Sequence, residues 1–189
     1  MHSLTELVNR GEYSTDKNTT HSYIESYEKL FETYKDNKIN LLEIGSHNGG
    51  SLRLWNDYFS DATIIGLEIG MREPLKYFDD IGNVTVYQNT SATSFETVRM
   101  IEDLGVKFDI IIDDGSHHPN DQIFTCKFWS KLLKEGGVMV IEDIQNIEFC
   151  EAITYNLPEK FSSEVIDLRE NKGRFDDILI SIKRDGEDS

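Results

Sequence analysis

Phe108-Asp109-Ile110-Ile111-Ile112-Asp113-Asp114-Gly115-Ser116-His117-His118 is an apolar run that ends in adjacent acids, a glycine and paired histidines. Gly136-Gly137-Val138-Met139-Val140-Ile141-Glu142-Asp143 repeats the pattern further on. Each reads as a buried parallel strand delivering carboxylates to one edge of a sheet. Ligands of open α/β sheets bind at the carboxyl ends of the strands, so Asp114, Glu142 and Asp143 can converge on one cation there, with His117 and His118 beside it. Three carboxylates suit a hard ion such as Mg²⁺, which takes oxygen ligands. A histidine next to such an ion can accept a proton from a hydroxyl.

Apolar runs alternate with helical patterns from residue 39 onward: Asn40 to Ile44, Ala62 to Ile69, Val84 to Gln88, Phe108 to Ile112, Gly137 to Ile141, Ser163 to Leu168 and Asp177 to Lys183. The segments between the first five are long enough for right-handed crossover helices, which predicts a parallel sheet covered on both faces. Eight residues between Leu168 and Asp177 are too few for a crossover, so the last two strands are expected as an antiparallel hairpin at the sheet edge. Tyr23, Ile24, Tyr27, Leu30, Phe31 and Tyr34 form the stripe of an amphipathic helix, with Thr20 or Ser22 as its cap. Residues 1 to 19 read as a polar arm with a short helix around Leu4 to Val8. A second helix follows Pro119, with Ile123, Phe124, Phe128, Trp129, Leu132 and Leu133 as core and Lys134 and Gly136-Gly137 as its stop. Trp55, Tyr58 and Phe59 are expected in the core as well.

The chain has 189 residues, which fits one domain: an arm and packing helix over 1–38 and a catalytic core over 39–189. Its 19 Lys and Arg against 35 Asp and Glu give a net charge of −16, which argues against nucleic acid or an anionic membrane as partner. No apolar run is long enough for a membrane span, and Met1 to Lys17 lacks the core of a secretory signal, so a cytoplasmic protein is expected. Cys126 and Cys150 have no metal-binding spacing and read as free thiols. Nothing in this composition opposes assembly into a homo-oligomer.

Glu43-Ile44-Gly45-Ser46-His47-Asn48-Gly49-Gly50-Ser51 follows the first strand and opens a helix. Glycines there let the backbone approach a ligand, and the helix start offers unpaired N–H groups. The loop is neither the GxGxxG dinucleotide pattern nor a phosphate loop. Glu68 ends the second strand, where an acid can accept hydrogen bonds from both ribose hydroxyls of NAD or of S-adenosylmethionine.

Five parallel strands with a terminal antiparallel hairpin resemble the Rossmann-like class I methyltransferase fold, an α/β architecture with a seven-stranded mostly parallel sheet and helices on both faces. Within it, Thr15-Asp16-Lys17, His21-Ser22-Tyr23, Leu42 to Gly45, Gly49 to Trp55, Asp113-Asp114-Gly115-Ser116-His117, Ile141-Glu142-Asp143 and Asp176 to Ile180 are similar to the metal-dependent macrocin and mycinamicin sugar O-methyltransferases. That resemblance implies an S-adenosylmethionine-dependent O-methyltransferase using Mg²⁺ or Mn²⁺ on a small-molecule or glycan substrate. It places the metal on Asp114, Glu142 and Asp143 and the general base on His117; by position in the sequence, the adjacent His118 is the competing base. It places the cofactor over Glu43, Gly45, Gly49, Gly50 and Ser51, with its ribose on Glu68, its adenine near Gln88, Asn89, Thr90 and Ser91, and Asp113 nearby. The macrolide enzymes are longer than this chain. The alternatives are a catechol-type O-methyltransferase, an NAD-dependent sugar oxidoreductase or epimerase that lacks its GxGxxG, and a domain kept for assembly alone.

Overall fold

The computed structural model describes residues 2–70 and 81–186. Two short helices lead in, α1 (Leu4–Asn9) and α2 (Ile24–Phe31), the second extended by a 3₁₀ turn, Glu32–Tyr34. There follow β1 (Lys38–Ile44), α3 (Gly50–Tyr58), β2 (Asp61–Leu67), β3 (Val84–Tyr87), α4 (Phe95–Glu102), β4 (Phe108–Asp113) and α5 (Pro119–Trp129). The chain continues through β5 (Leu133–Ile141), α6 (Phe149–Thr154), β6 (Phe161–Asp167), α7 (Arg169–Lys172) and β7 (Ile178–Arg184). The crossover expected between β2 and β3 falls largely on residues 71–80, outside the described residues.

The strands of the described residues form one seven-stranded sheet in the order β3-β2-β1-β4-β5-β7-β6. The first five pair in parallel, and β7 lies antiparallel to both β5 and β6. The class I methyltransferase reading of the sequence therefore holds. The terminal hairpin is present, but β7 inserts between β5 and β6, so that β6 alone forms the edge. Burial explains the order: every residue of Ile178 to Ser181 is buried, whereas β6 is largely exposed.

The apolar runs are continuous because both faces of the sheet are covered. Leu41, Ile110, Ile112, Val138 and Val140 point to one side, where they meet Leu4, Tyr27, Phe31 and Trp55 of the lead-in helices and α3. Leu42, Ile111, Met139 and Ile141 point to the other, against Trp129 and Leu132. Trp55, Tyr58 and Phe59 are core, as expected.

Several local expectations are corrected. α2 is preceded by Tyr23 at the cap position, with no side-chain hydrogen bond from Thr20 or Ser22. Tertiary burial of Tyr23 and Tyr27 fixes that helix instead. α5 ends at Trp129, and Lys134 to Gly137 lie within β5 rather than stopping the helix. Ile123, Phe124 and Phe128 are partly buried rather than core. Lys17, in the arm read as a polar lead-in, is wholly buried. Among the described residues no helix is long and apolar enough to cross a membrane.

Candidate active site

Because β1 connects to β2 on one side while β4 pairs on its other side, the order of strands reverses between β1 and β4. Their carboxyl ends diverge into a crevice, the place where doubly wound sheets bind ligands. The walls meet closely: the Asp114 N–H donates to the Ile44 carbonyl at 2.9 Å, and a Cβ on Gly45 would collide with the Asp114 carbonyl. Gly45 also has a φ of 84°, so the turn out of β1 requires glycine twice over.

A cavity of about 640 Å³ opens there. Of the residues singled out in the sequence, Gly45, Gly50, Ser51, Glu68, Thr90, Ser91, Asp113, Asp114 and His117 line it. Gly49, Gln88 and Asn89 are not among the lining residues, and Glu43 lies buried beneath. Ala92, Thr93 and the arm residues Tyr13 to Asp16 line it without having been foreseen. Glu68 is only 4% exposed, and its two oxygens accept the backbone N–H groups of His47 (2.7 Å) and Gly70 (2.8 Å). Glu43 accepts the Ser51 hydroxyl at 2.8 Å. Burial, with the Asp114 charge adding to it against Lys17, pushes its carboxyl up to about 7. Asp113 turns to the opposite side of β4, accepting the Thr125 hydroxyl and the Gly115 N–H; burial raises its carboxyl to about 6.

The next acids meet on the Lys17 side. The β4–β5 register brings Glu142 beside Asp114, with the Glu142 N–H donating to the Asp113 carbonyl at 2.9 Å. Asp143 has a φ of 56°, a conformation that turns it out of the alternation of a strand. His117 has the same φ, and its ring lies between two carboxylates: Nε2 is 3.2 Å from Asp114 Oδ1, and Nδ1 is 3.4 Å from Asp143 Oδ2. One ligand atom from each of Asp114, His117 and Asp143 falls within 4.8 Å of the others, a geometry that can hold a metal ion. Glu142 is the predicted acid that stands behind this group, with Oε1 engaged by Lys17 Nζ (2.6 Å) and by the Tyr27 hydroxyl.

Electrostatics follow from this crowding. Burial opposes ionisation of Asp114, yet Lys17 and His117 hold its carboxyl below the ordinary value. Burial and the Asp114 charge push Glu142 well up, and burial raises Asp143. Burial disfavours the imidazolium of His117, but Asp114 and Asp143 outweigh it and raise its pKa. Lys17 stays an ammonium: its three carboxylate neighbours overcome the penalty of burial. His118 caps α5 from its Nδ1, and so does not face the acids. His47 lies in the loop at a φ of 44°, and the buried His21 is 2.7 Å from Asp177.

Lys17, Tyr23 and Tyr27 reach the acids of the site without having been expected there. A usable signal was present. Tyr23 and Tyr27 are four apart, hence on one helix face, and their hydroxyls donate to the consecutive acids Asp143 and Glu142.

Residues 42–144 match the family described as a methyltransferase domain. The chain is 33% identical over 153 residues to demethylmacrocin O-methyltransferase of Streptomyces fradiae, a match that covers 75% of this chain and 36% of the relative. It is 31% identical over 144 residues to 8-demethyl-8-alpha-L-rhamnosyl tetracenomycin-C 2'-O-methyltransferase of Streptomyces olivaceus, covering 70% of this chain and 36% of the relative. The chain thus spans about a third of the length of these curated relatives. Among solved structures, it superposes with a TM-score of 0.77 and 22% identity on the MycE methyltransferase of the mycinamycin biosynthetic pathway, determined with Mg, SAH and mycinamycin VI. That superposition covers all of this chain and 56% of the other, and it shows a common fold. By the match across more than half its length, the chain belongs to the methyltransferase-domain family.

Proposed function

We propose that this protein is a divalent-cation-dependent O-methyltransferase that uses S-adenosylmethionine and acts on a hydroxyl of a sugar or a glycosylated small molecule. The observation that carries the reading is the continuity of the site: one cavity runs from Glu68 over Gly45 and Gly50 to Asp114 and His117. The macrocin and rhamnosyl-tetracenomycin relatives, named as O-methyltransferases, support the reaction and the substrate class.

Asp114, Asp143 and Glu142 would hold Mg²⁺ or Mn²⁺, an oxygen donor set that suits a hard cation. The grouping of Asp114, His117 and Asp143 fits such an ion. A cation there supplies Lewis acidity that eases deprotonation of an acceptor hydroxyl. Glu68 would accept the ribose hydroxyls, Thr90 and Ser91 would border the adenine, and Gly45, Gly50 and Ser51 would give the methionine end close access to the backbone. His117, about a third exposed on the cavity side, takes the acceptor proton at a ring nitrogen. Holding the hydroxyl in line with the methyl group is the remaining task, and the walls at Asp16 and Ser116 border the space for the acceptor. We read the chain as one catalytic domain, with residues 1–38 packed on a core of 39–189. Two free buried thiols, Cys126 and Cys150, fit a reducing cytoplasm.

Calorimetric titration with S-adenosylhomocysteine and with NAD tests the cofactor. Binding of the first and not the second is expected, and the reverse would replace the reading with an oxidoreductase. Methyl transfer to a panel of glycosides and catechols, followed by mass, should favour the glycosides, be abolished by EDTA and return with Mg²⁺ or Mn²⁺. Full turnover in chelator would remove the cation from the reaction.

A further inference from the structure

We propose that Lys17 is a fixed internal cation of the metal centre, a positioning residue that holds one oxygen each of Asp114 and Glu142 and so leaves the other oxygen of Asp114 turned to a divalent ion. The inference rests on the metal-dependent reading above and assigns a task to a residue which that reading does not use.

The side chain of Lys17 is 1% exposed. Its Nζ donates to Asp114 Oδ2 at 2.7 Å and to Glu142 Oε1 at 2.6 Å, and lies 3.8 Å from Glu43 Oε1. An ammonium has three N–H donors, and three acids surround this one, Glu43 within β1 and Asp114 and Glu142 immediately after β4 and β5. Removing such a charge would leave carboxylates facing one another without water, the costly half of a buried ion pair. The oxygen of Asp114 that Lys17 leaves, Oδ1, is the one beside His117. Asp143 is split in the same way: Oδ1 takes the Tyr23 hydroxyl and lies 3.4 Å from His21, while Oδ2 faces His117. The oxygens left toward His117 therefore belong to the Asp114, His117 and Asp143 group.

Lys17 is itself held. Its carbonyl accepts the Tyr23 N–H at 3.0 Å, and the Tyr27 ring lies 6.0 Å from its Nζ. Lys172 of α7 donates to the carbonyls of Asn18 (2.5 Å) and His21 (2.6 Å), clasping the segment to the far end of the sheet. A side chain serving only solubility would need none of this. The arrangement is that of an outer layer which orients metal ligands, with a charge added.

Mn²⁺ binding, read by electron paramagnetic resonance on purified protein, tests this without an acceptor substrate. Lys17→Met should weaken Mn²⁺ at least tenfold and alter the spectrum of the ion that remains bound. Its S-adenosylhomocysteine affinity should stay within threefold, which a general loosening of the fold would not allow. Mn²⁺ affinity equal to or tighter than wild type would overturn the proposal, by showing a bystander or a mere competitor of the metal. Should Lys17→Met not fold, Tyr27→Phe decides: losing the second donor to Glu142 Oε1 should weaken Mn²⁺ three- to tenfold, and an unchanged affinity would overturn the outer-layer role. Wild-type protein that binds no Mn²⁺ would sink the metal-dependent reading and this inference with it. Wild-type binding with unaltered variants sinks this inference alone.

Discussion

His117 Nε2 lies 3.2 Å from Asp114 Oδ1, a contact between residues three apart across Gly115, with His117 at a φ of 56°. A non-glycine side chain is rarely held in that region, at a cost on the order of 1 kcal/mol or more, and such residues cluster at functional sites. The non-glycine residues with positive φ among those described are His47, Asn89, His117 and Asp143, which follow β1, β3, β4 and β5 at the same edge of the sheet. Strain is concentrated where the chemistry is proposed. For His117, replacement by Ala should lower turnover by roughly 10²–10⁴-fold, the range for losing a general base. His118→Ala, which removes only a helix cap, should change it little. Mn²⁺ affinity separates a base from a ligand: a base variant keeps it within a few-fold, and a drop of two orders of magnitude would make His117 a metal ligand.

Glu68→Ala should weaken S-adenosylhomocysteine binding by about 1–3 kcal/mol, the scale for deleting a charge-assisted acceptor. The carboxylate also ties down the His47 and Gly70 N–H groups, so the loss includes loosening of the loop after β1. Calorimetry on Glu68→Gln, which keeps one acceptor oxygen, should give an intermediate value. Equal affinities for all three proteins would move the ribose contact elsewhere.

Much of this site was legible in the sequence because parallel strands advertise themselves: apolar runs ending in Asp113-Asp114 and Glu142-Asp143 fix both the sheet and the edge where acids gather. The arm was not legible. Lys17 sits in a polar, aperiodic stretch, and what buries it are acids about 25 to 125 residues away, a partnership that no local pattern encodes. Tyr23 and Tyr27 were visible as apolar stripe residues while their hydroxyls, the part that touches the site, were not. The position of β7 inside the sheet was hidden for a similar reason. A hairpin signal fixes which strands pair, and says nothing of which one meets β5.

Stability should depend on pH through Glu43. Burial raises its carboxyl from 4.5 to about 7 in the folded protein. The folded state therefore binds more protons than the unfolded state between those values, and this group's contribution falls as pH rises through that window, then levels above it. Glu43→Gln keeps the Ser51 hydrogen bond and removes the titration. Urea unfolding should show the variant gaining on the wild type between pH 5 and pH 8, by up to about 3 kcal/mol. A constant difference across that range would show that Lys17 keeps Glu43 ionised throughout.

Gly45 and Gly50 predict two different failures. A Cβ at Gly45 would strike the Asp114 carbonyl, between adjoining ends of β1 and β4, at a φ that also disfavours alanine. Neither strand can move without breaking the sheet, so Gly45→Ala should destabilise the fold by more than the ~1–3 kcal/mol usual for overpacking. A Cβ at Gly50 would strike the Ser14 carbonyl, which belongs to the arm three residues before Lys17. The arm is joined to the core by side-chain contacts rather than strand pairing, so it can yield. Gly50→Ala should keep a cooperative unfolding transition while exposing residues 10–20 to limited proteolysis. Because Tyr13 to Asp16 wall the cavity, it should also weaken S-adenosylhomocysteine at least tenfold. Protease resistance and S-adenosylhomocysteine affinity both at wild-type levels would show that the arm does not rest on Gly50 in solution.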